Sequence, residues 1–346
     1  MIHIVKKGAP QFKANLHCHS TYSDGMLEPE TLKRIYKEHG YSVLAITDHE
    51  YVRDHSAMSE EDFLMITGYE VFIRPNDGRF SRYNPELHVN LLAKDPHNVA
   101  FVNYNEQYGR YYKDPVERAN ILKVGSERPR EYTPEYINEF VQTAKQYGYL
   151  CTHNHPFWSR EEWDMVSQYE GFLSMEMCNY GAQMINGLEY NGQLYEHLLR
   201  KGKRLFCHSA DDNHNKEPLD HPKSDSFGGF TMIMAEELTY PAIIDALEKG
   251  EFYSSMGPQI HELYIDGKHV HIETDPVKQI VMNNSGKWAQ MIMGDKEHPV
   301  TSADFEINEE WPYIRFTVTD FDGRSADTRG IFKDEYEQQL NTKADA

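Results

Sequence analysis

The chain is short of cysteine, of basic charge and of long apolar runs. Its four cysteines, at 18, 151, 178 and 207, contain no C-x-x-C pair. They read as reduced, buried thiols of a cytoplasmic protein. No apolar run approaches the length that spans a bilayer, and no membrane association is expected. The N-terminal stretch Met1–Gly8 lacks the apolar core of a signal peptide. Lys and Arg number 35 against 55 Asp and Glu, a net charge of -20. That balance argues against coating long nucleic acid, which rests on phosphate neutralisation by Lys and Arg. An anionic substrate can still bind where metal ions reverse the local field.

What remains is ample for a core. The 346 residues suffice for one large domain and a smaller one, and 12% are aromatic. Short apolar runs alternate with helical patterns. Strands are expected at 14–16, 43–46, 63–66, 87–92, 150–152, 172–177, 205–207 and 230–234. Helices are expected at 28–38, 134–147, 192–201 and 240–249. Such alternation points to a parallel α/β architecture, in which functional residues gather at the C-terminal ends of strands. Residues 96–133, rich in Tyr and charge, read as an insertion over the site, with a lid and a plain surface elaboration both open. After residue 257 the pattern changes to alternating segments separated by Asp266-Gly267, Ser285-Gly286 and Asp322-Gly323. That reads as a small β domain over 258–346. Its polar tail from about Glu335 is expected to fray, and its scattered histidines (His261, His269, His271, His298) to form no ligand cluster.

The informative residues stand at the ends of apolar runs. His17-Cys18-His19 follows an alternating run, and residues i and i+2 of a strand share a face. His17 and His19 can therefore meet one cation while Cys18 points away. Asp24 follows closely. Thr47-Asp48-His49, Gly68-Tyr69-Glu70, His88, His153-Asn154-His155-Pro156 and Asp211-Asp212-Asn213-His214 complete the series. Each has a plain alternative: Asp48 as a helix cap, His88 as a core histidine, Asp211 and Asp212 as the start of a helix. Six groups of ligand type after successive strands are harder to explain as packing. Buried carboxylates without compensation cost several kcal/mol, a penalty that cations remove.

These motifs resemble the polymerase and histidinol phosphatase (PHP) family of metal-dependent phosphoesterases, over roughly residues 12–257. The resemblance implies a distorted (β/α)7 TIM-like barrel with a small C-terminal all-β domain. It also implies two or three divalent metal ions, Zn, Mn or Fe by the ligand chemistry. By the same resemblance, His17, His19, Glu70 and Asp212 hold the first ion. Glu70 bridges to a second, held with His88 and His155, and Asp24, His49 and His214 hold the third. His155 is preferred over His153 because it directly precedes Pro156. Asp212 is preferred over Asp211 because His214 stands two residues on. Glu70, Asp212 and Asp48 carry the catalytic roles, with Asp48 and His208 orienting ligand imidazoles. Arg74, Arg82 and Arg160 are the candidates for a remote substrate phosphate, with Arg53 and Arg79 in the same region. The expected activity is hydrolysis of a small phosphorylated molecule by a hydroxide bridging the metals, a nucleotide or nucleoside bisphosphate first. A sugar or amino-alcohol phosphate is the alternative, and a non-catalytic metal-binding or ligand-sensing protein the rival from another class. Association of copies into a homo-oligomer is left open.

Overall fold

The computed structural model describes residues 1–75 and 82–342. A large mixed sheet carries the site. Its order is Phe206–Ala210, Ser174–Asn179, Tyr149–Asn154, Leu87–Ala93, Leu64–Ile73, Val43–Ile46, Gln11–Asn15, Phe230–Met234 and Phe252–Ser255. The helices Pro29–Glu38, Pro134–Gln146, Gly192–Arg200 and Tyr240–Lys249 form where helical periodicity was read. Three of them start on proline or carry it in the first turn, where its missing N–H costs nothing. Thr133 and Thr239 cap two of them by accepting from the N–H groups of Tyr136 and Ala242.

Two expectations need correction. The sheet is not all parallel: Leu87–Ala93 runs antiparallel to both Leu64–Ile73 and Tyr149–Asn154. Nor is a closed barrel found, since among the described residues no ladder joins Phe206–Ala210 to Gln11–Asn15 or Phe230–Met234. Individual hydrogen bonds link those edges instead. Thr231 Oγ1 donates to the carbonyl of Ser209 at 2.9 Å, and Asp212 N–H to that of His17 at 2.9 Å.

The same sheet continues from Phe252–Ser255 through Ser325–Asp327, Tyr313–Thr319 and Gln279–Asn284 to Gln290–Met293. A second sheet of four strands orders Ile2–Val5, Ile260–Asp266, His269–Val277 and Val300–Glu306. The N-terminal strand thus pairs with the C-terminal region. One apolar cluster also spans both parts, from Leu32, Ile35 and Tyr253 to Leu263, Ile280 and Phe316. Part of the tail expected to fray is ordered: Lys333–Thr342 is helical, and 343–346 lie outside the described residues. Tyr336 anchors it by full burial, and Arg204 and Arg329 bind Asp334 and Glu335 in its first turn. The insertion is bolted to the sheet by a buried Arg130, whose Nη2 donates to Glu50 at 2.9 Å and Nη1 to the Phe72 carbonyl at 2.9 Å. Among the described residues no helix is long and apolar enough to cross a membrane.

Candidate metal centre

The strand ends converge as their order requires. His17 and His19 follow Gln11–Asn15, His49 follows Val43–Ile46, His155 follows Tyr149–Asn154, and Asp212 and His214 follow Phe206–Ala210. His88 stands at the start of its strand, yet reaches the same end of the sheet because that strand is antiparallel. It lies opposite Phe72 on one side and Asn154 on the other.

Glu70 is the hub. Its Oε1 lies 3.2 Å from His17 Nε2, 3.1 Å from His88 Nδ1 and 3.4 Å from His155 Nε2. Its Oε2 lies 2.7 Å from His49 Nδ1. Asp212 Oδ1 sits 2.8 Å from His19 Nε2 and 3.1 Å from His17 Nε2. Asp24 Oδ1 stands 3.3 Å from His214 Nε2 and 3.8 Å from His49 Nε2. The candidate ligands so group as His17/His19/Asp212, His17/Glu70/His155, His49/Glu70/His88 and His19/Asp24/His49/His214. All nine expected ligands therefore meet, buried at the Glu70 end and open to solvent at the Asp24 end.

The donor set fits divalent cations. Asp24 Oδ1, His49 Nδ1, Glu70 Oε2, His88 Nε2 and Asp212 Oδ1 are buried without a hydrogen-bond partner. His49 Nδ1 and Glu70 Oε2 are close but not aligned for a hydrogen bond, as two ligands of one ion would be. Orphaned buried groups of this kind are rare unless an ion or water satisfies them. Imidazoles with carboxylates suit Zn, Mn or Fe. The charges are interlocked. Burial opposes a charge on His17, but Asp212, Glu70 and Glu176 outweigh it and raise its pKa well above the ordinary value. Burial likewise opposes charge on His88 and His214. Glu70 and Glu86 lift the first to about 10, and Asp24 and Asp212 the second to about 9. His19, more deeply placed and beside His214 and His49, is pushed down to about 3.

The surrounding shell was only partly foreseen. Glu176 was missed: its Oε1 lies 2.8 Å from His17 Nδ1, and its Oε2 accepts from His155 N–H at 2.7 Å and Asn179 Nδ2 at 2.9 Å. It sits in the middle of an apolar strand with no neighbouring motif; an acidic residue at a fully buried strand position was the available signal. Asn154 donates to Glu70 at 2.8 Å, Asn179 to Asp212 at 3.1 Å, and Ser159 Oγ lies 3.0 Å from His155 Nδ1. His208 Nδ1 lies 3.0 Å from Ser174 Oγ, and its Nε2 lies 3.9 Å from Glu176 Oε1, the oxygen that holds His17.

Among the described residues Asp48 makes no direct hydrogen bond to an imidazole; Ser23, whose Oγ lies 3.5 Å from His19 Nδ1, stands between them. The Asp48 carboxylate accepts from the N–H groups of Ser20 and Ser23, at 2.8 and 3.1 Å, and from both hydroxyls, at 2.5 Å. It shapes the turn that presents Asp24. Gly25 closes that turn against the His19 carbonyl, 2.3 Å from where a Cβ would sit. Asp211 is likewise structural: it accepts from Phe227, Gly228 and Gly229 N–H and from Tyr36 OH. His153 turns to Glu161, at 2.6 Å. The candidate ligands His155 and Asp212 adopt left-handed backbone, φ 28° and 51°, strain of the kind held at functional sites.

A cavity of about 730 Å³ opens over the cluster, lined by Arg74, Arg110, Lys216 and Lys223 and by Trp158, Met184 and Ile185. Arg74 lies there, paired with Glu86. Arg82 and Arg160 are exposed and do not line it, while Arg53 stacks over Tyr22 and pairs with Glu117. Arg79 lies outside the described residues. Arg110, from the insertion, was missed. Its neighbour Tyr111 stacks 6.5 Å from the His49 ring, a placement that spacing along the chain does not disclose.

The model of the PHP domain family matches residues 15–206, more than half of the chain, and the chain belongs to that family. No curated protein matches it. Among solved structures it is similar to a two-domain protein from Bacteroides vulgatus containing an inferred PHP-like metal-dependent phosphoesterase. That similarity has 15% identity and TM-score 0.45, covering 94% of this chain and 98% of the other. An inferred metal-dependent phosphoesterase from Bifidobacterium adolescentis matches at 15% identity and TM-score 0.39, covering 62% and 93%. An amidohydrolase from Chromobacterium violaceum, solved with sulfate and no metal, matches at 17% and 0.36, covering 58% and 87%.

Proposed function

We propose that the protein is a metal-dependent phosphoesterase that hydrolyses a small organic phosphate, with a nucleotide or nucleoside bisphosphate as the preferred substrate class. The observation that carries this reading is the nine-ligand cluster with its orphaned oxygens on the floor of a cation-rimmed cavity. Divalent ions held there would supply an acidified water and neutralise phosphoryl oxygens. The chain's own residues do the positioning. Glu176 fixes the His17 ring through Nδ1, Ser159 sits at the Nδ1 of His155, and Asn154 and Asn179 hold the carboxylates of Glu70 and Asp212. Arg74 and Arg110 offer planar donors to a phosphate.

The preference for a nucleotide rests on the apolar wall of the cavity. Trp158, Met184 and Ile185 give an apolar side that a nucleobase would cover and a small sugar or amino-alcohol phosphate would leave uncovered. Protein loaded with Mn or Zn is to be assayed against nucleoside bisphosphates, mononucleotides, sugar phosphates and histidinol phosphate. Fastest turnover of the nucleotide class is expected, with Arg74→Ala raising KM and Arg82→Ala leaving it unchanged. Fully loaded protein inert towards the whole panel would favour the metal-binding or ligand-sensing alternative.

A further inference from the structure

The second four-stranded sheet carries another histidine pair. His269 and His271 alternate along the strand His269–Val277, so both side chains stand on one face. The neighbouring strand is antiparallel and places Asp304 directly opposite His271. A single oxygen, Asp304 Oδ1, lies 2.8 Å from His271 Nδ1 and 3.2 Å from His269 Nε2. The three ligand atoms lie within 4.8 Å of one another. The expectation that this region forms no ligand cluster is thereby overturned.

We propose that His269, His271 and Asp304 form a second metal site, separate from the Glu70 cluster, taking a borderline divalent cation such as zinc. Two imidazoles and a carboxylate are a recurring zinc donor set, with water free to fill a fourth position. Three features beyond the residue types support it. The ligands ride on adjacent paired strands, so ladder hydrogen bonds already fix their spacing. Tyr264, opposite His271 on the other neighbouring strand, packs its ring 5.3 Å from the His271 ring and limits where that ring can turn. Glu273 lies 3.6 Å from His271 Nε2 and adds negative potential, partly offset by Lys7. Zinc here would staple the strand His269–Val277 to Val300–Glu306, near the edge of the sheet.

The test is equilibrium dialysis of the full-length protein against zinc, with metal counted per chain. His271→Asn and Asp304→Asn should each bind one fewer zinc than wild type. Phosphoesterase activity and the remaining zinc should be unchanged, because neither residue touches the Glu70 cluster. His261→Asn, which removes a histidine paired with Asp275 on the same sheet, should bind as wild type does. These positions are exposed or half-buried, and a circular dichroism spectrum will verify that each variant is folded. Identical zinc isotherms for wild type and the folded Asp304→Asn and His271→Asn proteins would overturn the proposal. So would an equal loss in His261→Asn, which would indicate diffuse surface binding.

Discussion

Two histidine pairs of the same spacing stand in opposite surroundings. His17 and His19 are fully buried and share Glu70 and Asp212. His269 and His271 share Asp304 on an exposed sheet face. In the buried pair almost every ligand is itself held. Glu176 grips His17, Asn154 grips Glu70, and Asn179 bridges Glu176 to Asp212. In the exposed pair the supports among the described residues are the ladder, the Tyr264 ring and Glu273. Spacing along a strand makes a pair of ligands available. Burial and the shell around them decide how much free energy depends on their being satisfied, because a charge without a partner is costly only where water cannot reach it.

The largest effect should come from removing the buried hub. Glu70→Ala strips five imidazoles, those of His17, His19, His49, His88 and His155, of their shared carboxylate and should cut turnover by roughly 10³-fold or more, with loss of bound metal. Metal analysis and kcat on the folded variant check it. Normal kcat would mean that the cluster is not the reacting centre, and the contrast with the exposed pair would collapse.

Chelation sharpens the same contrast through stability. An ion that binds only the folded chain adds about 3–4 kcal/mol at 100 to 1,000 times its Kd. EDTA should therefore lower the Tm of wild-type protein by several degrees, and zinc or manganese should restore it. An unchanged Tm would show that the proton network among His17, Glu70 and Asp212 already satisfies the cluster.

Glu176→Gln probes the shell alone. It keeps the shape but removes the carboxylate behind His17, and should weaken metal binding by about 10- to 100-fold while leaving the chain folded. Glu273→Gln beside His271 should change zinc binding far less, because solvent screens that exposed carboxylate. Equal effects in competition titrations would erase the distinction drawn here.

The smallest effect concerns what burial does to an imidazole outside either cluster. His55 is buried, and burial, reinforced by Arg53, holds its pKa down at about 4. Its folded value is below the unfolded one near 6.5. The neutral ring therefore contributes stability above pH 6.5 that is lost as pH falls towards 4, amounting to about 2 kcal/mol by pH 5. His55→Asn should flatten this part of the stability–pH curve in urea titrations. An unaltered slope would show that His55 stays solvated enough to charge freely.

The local pattern was legible wherever one element decides it. The helix Tyr240–Lys249 and the strands Val43–Ile46 and Phe230–Met234 form where their periodicity places them. The preference for His155 over His153 and for Asp212 over Asp211 agrees with the geometry, since in each case the other residue is occupied elsewhere. Cues read in isolation failed. Asp48, expected to orient imidazoles, holds the Ser20–Ser23 turn with its carboxylate and reaches His19 only through Ser23. Arg82 and Arg160, expected to hold a remote phosphate, have exposed side chains that do not line the cavity.

The sequence by itself determined which residues can bind cations, because ligand type and alternation along a strand are local properties. Only the tertiary structure decided which of them act together. Glu176 lies 159 residues from His17 along the chain and 2.8 Å from it in space. Asp304 lies 33 residues from His271 and meets it through cross-strand register. An antiparallel strand brings His88 to the cluster by reversing its direction. Register and strand direction are settled by burial of whole faces across the sheet, and no spacing within one segment encodes them.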